Sequence, residues 1–80
     1  MQTFEVKQLI EQQLDGCEVI TAGEGCSFQV SVVGELFTGL SSVKKQQLVY
    51  GCLNAQIADG SIHALTIKTY TPEQWQALQD

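Results

Sequence analysis

The imidazole and thiol side chains of this chain, suited to metal chemistry, are His63, Cys17, Cys26 and Cys52. His63 is the single histidine among 80 residues, and the cysteines number three. A neutral imidazole suits several transition metals, and a thiol that loses its proton becomes a strong metal ligand. Cys26 lies in Gly23-Glu24-Gly25-Cys26-Ser27, where two glycines mark a tight, backbone-exposed connection. Cys52 lies inside an apolar helical pattern and reads as a small buried hydrophobe, and Cys17 is assigned to packing. His63 has three readings on residue type alone. It can ligate a metal, form an acid–base pair with Glu24 or Asp59, or be an ordinary strand histidine sharing a face with Leu65 and Ile67.

No Cys-x-x-Cys pair is present, which excludes a zinc knuckle or thioredoxin-type pair at the level of motif. No nucleophile elbow or phosphate loop supports an enzyme, and none is expected.

The elements that must position these residues follow from periodicity. Val6, Ile10 and Leu14 define an amphipathic helix from Thr3 to Leu14, with Thr3 as N-cap, Phe4 and Leu9 on the flank and Gly16 as its stop. Cys17 to Ala22 reads as a strand. Phe28 to Val33 is a second strand, with Phe28, Val30 and Val32 inward and Gln29 and Ser31 outward. The short connection makes the two an antiparallel hairpin. Leu36, Phe37 and Leu40 lie in an irregular segment, where they either cover the core or offer a contact surface. Ser41 or Ser42 caps a long helix reaching Ala58, whose inward line is Val49, Leu53 and Ile57, with Val43 and Tyr50 beside it. Lys44 and Lys45 in its first turn oppose the helix dipole. Gly60 to Tyr70 reads as a buried strand, with His63, Leu65, Ile67 and Thr69 on one face and Ile62, Ala64, Thr66 and Lys68 on the other. Thr71, Pro72 and Gln74 have capping-box spacing for a last helix that buries Trp75 and Leu78.

The order α-β-β-α-β-α over residues 1–80 predicts one α+β domain. It has a three-stranded mixed sheet with helices on one face, the third strand reached by a long crossover. Hydrophobic content of 44% and charged content of 16% fit a globular domain. No apolar run approaches the roughly 18 residues of a membrane span, and the N-terminal residues lack a signal-peptide profile, so the cytoplasm is expected. The net charge of −5, with four lysines and no arginine, is unfavourable for phosphate neutralisation.

Two blocks carry a family resemblance. Phe37-Thr38-Gly39-Leu40-Ser41-Ser42-Val43-Lys44-Lys45-Gln46-Gln47-Leu48-Val49-Tyr50 resembles the BolA-family signature Phe-x-Gly-x-Ser-x-Val-x-Arg-His-Arg-x-Val-Tyr. Ile62-His63-Ala64 and Thr71-Pro72-Glu73-Gln74-Trp75 match as well. Lys45-Gln46-Gln47 in place of Arg-His-Arg resembles the IbaG-like branch. The resemblance implies a fold similar to a class II KH domain. It also implies a monothiol glutaredoxin as partner, with a [2Fe-2S] cluster held jointly with glutathione, for iron–sulfur trafficking or iron sensing. His63 matches the family's histidine ligand. Ser27 stands where IbaG-like members tend to carry histidine, and Cys26, one residue earlier, is the candidate second ligand. Lys44, Lys45, Phe37 and Gly39 are the candidate docking residues. The docking face is expected to combine His63, the 23–27 loop and the start of the long helix, on a protein that alone is a monomer or weak dimer. The KH-like fold suggests a rival role as a nucleic-acid-binding regulator, yet no Gly-x-x-Gly loop is present.

Overall fold

A computed structural model describes residues 2–24 and 27–79, Glu24 in its backbone only. The chain runs α1 (Thr3–Gln13), β1 (Glu18–Glu24), β2 (Ser27–Val33), a 3-10 turn (Glu35–Phe37), α2 (Ser42–Ala58), β3 (Ala64–Tyr70) and α3 (Pro72–Gln79). This is the expected element order. The sheet order is β1-β2-β3, with β1 antiparallel and β3 parallel to β2.

β2 is central and carries the core. Phe28, Val30 and Val32 are buried beneath α1 and α2, whose Val6, Ile10, Val49 and Leu53 complete one cluster. The alternation of β2 is as its sequence predicts, because both of its neighbours hold it flat and only one face is covered. Pairing with β1 persists from Glu18↔Val33 to Glu24↔Ser27. Gly23 therefore lies inside β1 rather than in the loop. It takes φ +135°, and a side chain there would collide with the Ser27 carbonyl.

α1 begins at Thr3 as expected, but its cap lies one residue earlier. Gln2, not Thr3, is the N-cap, and the Glu5 carboxylate accepts its backbone N–H at 3.1 Å. The segment after β2 closes over the core: Phe37 is fully buried, with Leu36 and Leu40 partly buried beside it. Ser41 is the cap of α2, its hydroxyl accepting the Lys44 N–H at 3.2 Å.

Three expectations change. The inward stripe of α2 is Val49, Cys52 and Leu53, while Ile57 is 37% exposed and Val43 is 65% exposed. Each four-residue step advances about 40° past a full turn, so the line Val49–Leu53–Ile57 spirals off the covered face. β3 is an edge strand without a buried residue. Leu65, Ile67 and Thr69 are half-buried, and Ala64, Thr66 and Lys68 are exposed. α3 buries nothing: Leu78 is 63% exposed and Trp75 is half-buried. It is held at the end of β3 by its cap and by the Trp75 ring, tilted 52° against Tyr70 at 5.2 Å. The cap is the reciprocal box that the sequence predicts. Gln74 N–H donates to Thr71 Oγ1 at 3.2 Å, and Thr71 N–H donates to Gln74 Oε1 at 2.9 Å.

Candidate functional site

His63 is exposed and sits between α2 and β3, one residue before pairing begins. Its neighbour Ala64 pairs with Ser27, and Ser27 pairs with Glu24. The register thus brings the histidine to the end of the sheet at which the β1–β2 hairpin closes. Cys26, the candidate second ligand, lies outside the described residues.

A short turn joins α2 to His63. Gly60 takes φ +86°, and its N–H donates to the Ile57 carbonyl at 3.4 Å. The Asp59 carboxylate accepts the Ser61 N–H at 2.8 Å, closing a local loop of the kind aspartate favours. Ser61, through its hydroxyl and its backbone N–H, holds the Asp59 carboxyl below the usual carboxylate range. Asp59 is thus engaged in building the turn. Ile62 follows with its side chain in the core. The alternation puts Ile62 on one face with Ala64, Thr66 and Lys68, yet those three are exposed and Ile62 is not. The strand begins only at Ala64, so the period of two does not extend back to Ile62.

Lys44, Lys45 and Gly39 lie at the other end of the sheet. The Gly34 N–H donates to the Tyr70 carbonyl at 3.0 Å, which ties the approach to α2 to the far end of β3. Six residue steps of β3 separate that end from Ala64, roughly 20 Å. The expected single face is therefore divided: the structure joins His63 to the hairpin end and separates both from the start of α2. Lys45 is half-buried and lines two adjoining depressions with Gln74, of about 420 and 490 Å³. Lys44 is exposed beside Leu40 and Leu48. Gly39 is exposed in the turn before α2, with open space around it. Phe37, expected as a docking residue, is instead core: it is buried and supports this end from beneath, at the base of the depression that Gly39 and Lys45 also line. Lys68 is exposed beside Gln29, Ser31 and Thr66 on the sheet face opposite the helices, so it does not join the other two lysines.

Cys17 and Cys52 sit where the neutral thiol is favoured. Burial pushes both thiols up, and for Cys17 the nearby Cys52 adds to the effect. Cys52 Sγ also donates to the Leu48 carbonyl at 3.3 Å. Among the described residues no group of three metal-binding side chains forms. His63 is exposed and belongs to no such group. No helix among the described residues is long and apolar enough to cross a membrane.

What the residue pattern did not reveal is the Asp59–Ile62 turn as a support for His63. Asp-Gly-Ser was the available signal, since aspartate two residues before a free amide favours this loop.

Comparison with known proteins agrees with this architecture. A family model described as BolA-like protein matches residues 7–74. The acid stress protein IbaG of Escherichia coli (strain K12) is 51% identical over 75 residues, covering 94% of this chain and 89% of that protein. The structure of a bolA protein homologue from Coxiella burnetii superposes with a TM-score of 0.84 at 35% identity, covering 95% of this chain and 97% of that one. The BolA domain of SufE1 from Arabidopsis thaliana gives 0.72 at 28% identity, covering 89% and 92%. The chain belongs to the BolA family, and its likeness to IbaG places it in the IbaG-like branch.

Proposed function

We propose that this protein is a non-enzymatic partner of a monothiol glutaredoxin, and that it contributes His63 to a shared [2Fe-2S] cluster. The observation that carries this reading is the placement of His63. It is the only histidine of the chain, it is exposed, and it stands at the hairpin end of the sheet. Imidazole in place of thiolate on one iron is chemically sound ligation. Membership of the BolA family supports the reading, because its members act generally as partner or regulatory proteins.

In this arrangement the cluster is cargo held between two proteins. Glutaredoxin and glutathione supply thiolates, this chain supplies His63, and Cys26 is the candidate for its second donor. The complex serves iron–sulfur trafficking or iron sensing in the cytoplasm. Identity to a protein named for acid stress supports a stress-response setting. Glutaredoxin docks at the His63 end, and Lys44, Lys45 and Gly39 form a separate margin roughly 20 Å away.

Native mass spectrometry of the anaerobically reconstituted mixture tests this. The expected species is a heterodimer carrying one [2Fe-2S] unit and glutathione. A mixture that yields only a cluster-bearing glutaredoxin homodimer contradicts it.

A further inference from the structure

The chain between α2 and His63 offers four consecutive backbone donors, and each has an acceptor. Asp59 N–H donates to the Ala55 carbonyl at 3.0 Å and Gly60 N–H to the Ile57 carbonyl at 3.4 Å. Ser61 N–H donates to Asp59 Oδ1 at 2.8 Å, and Ile62 N–H to the Gln56 carbonyl at 3.2 Å. Three of these acceptors belong to the last turn of α2, so the segment is strapped to the helix end. Ile62 then enters the core at 3% exposure, and Ala64 is fixed in register with Ser27. His63 is held on both sides by neighbours that do not move freely.

The ring edge also comes close to this turn. A Cβ added to Gly60 would stand 3.9 Å from His63 Nε2, an ordinary contact distance. Gly60 has φ +86°, a conformation that residues with a side chain adopt at a cost. An exposed side chain otherwise samples several staggered rotamers. A ligand residue works best when its orientation is set before the metal arrives.

We propose that the Asp59–Ile62 elbow positions the His63 imidazole, with Asp59 closing the elbow and Gly60 giving the turn its positive φ beside the ring edge. Asp59 acts through the Ser61 amide and is a positioning residue, not a ligand. The elbow itself is a property of this chain alone. Its consequence for iron rests on the role proposed above for His63.

Two measurements on the same variants test this. The first uses the ¹⁵N-labelled full chain without glutaredoxin and reads the Ser61 amide and the three-bond couplings that report the His63 rotamer. Asp59→Ala is expected to shift the Ser61 amide and average the His63 couplings, whereas Asp59→Asn, which keeps an acceptor oxygen, retains the wild-type values. Val49 and Leu53 methyl signals serve as the control for an intact core. Wild-type His63 couplings in Asp59→Ala and in Gly60→Ala overturn the proposal. The second reads the visible circular dichroism and cluster retention of the reconstituted glutaredoxin complex. Asp59→Ala is expected to hold the cluster about tenfold less tightly, the low end for residues that orient a metal ligand, and Asp59→Asn is expected to restore it. If His63→Ala alters the cluster and Asp59→Ala does not, the positioning role falls while the ligand role stands. If His63→Ala leaves the cluster unchanged, the ligand role falls, and the couplings still decide whether the elbow holds the ring.

Discussion

Ile62 and His63 are adjacent in the chain and lie in opposite environments: Ile62 is sealed in the core and His63 stands in solvent. The buried residue anchors the exposed one. Truncating Ile62 removes this anchor and leaves a cavity. Ile62→Ala is expected to cost about 2–4 kcal/mol, within the range for large-to-small core changes, as read from urea unfolding. Ile62→Val should cost about 1 kcal/mol and leave the elbow intact.

Gly23 and Gly39 both take a positive φ and differ in the space a side chain would find. Alanine at Gly23 meets the Ser27 carbonyl and a positive φ together. It should lose about 1–3 kcal/mol and disturb the hairpin end near His63. Alanine at Gly39 finds open space, so its cost is expected to be the smaller of the two. Thermal unfolding of both variants checks the order.

Much of the fold was legible where the signal was local. The Thr71–Gln74 box, the Ser41 cap and the alternation of β2 each depend on residues close in sequence, and each is present as expected. A local period stops at boundaries set by tertiary packing. β3 starts only at Ala64, beyond Ile62, and the covered face of α2 turns away from the sheet before Ile57. The division of the docking face was invisible for the same reason. Chain order gives no distance between His63 and Lys45 until the parallel register of β2 and β3 places them at opposite ends.

α3 buries no residue and hangs on its cap and on Trp75. Its amides are expected to exchange with deuterium well before those of α2, whose Val49 and Leu53 are fully buried. Thr71→Ala should cost about 1 kcal/mol of helix stability and accelerate exchange in α3 alone. Equal protection of both helices contradicts the description of α3 as a lightly held element.

The buried thiols give a pH dependence with a definite sign. Cys17 and Cys52 have raised pKa values, so the fold favours their neutral forms. This contribution is complete below the ordinary thiol value and is lost as pH rises through the raised folded value. Urea midpoints should therefore fall on the alkaline side. Alkylation at pH 8, followed by peptide mass spectrometry, should label Cys17 and Cys52 more slowly than a small-molecule thiol.

Charge reversal at Lys44 and Lys45 tests the separation of the two ends. Lys44→Glu with Lys45→Glu should leave the cluster spectrum unchanged and affect glutaredoxin affinity only through a salt-dependent change. A lost or altered cluster spectrum would show that the partner reaches across the whole domain.

The central claim is that His63 binds iron, and the chain's single histidine allows a direct test. The protein is labelled with ¹⁵N-histidine alone, combined with unlabelled glutaredoxin, and the reduced mixed cluster is measured by pulsed electron paramagnetic resonance. The account predicts a strong nitrogen coupling that changes from the ¹⁴N to the ¹⁵N pattern with the label. A spectrum that does not respond to the label contradicts it.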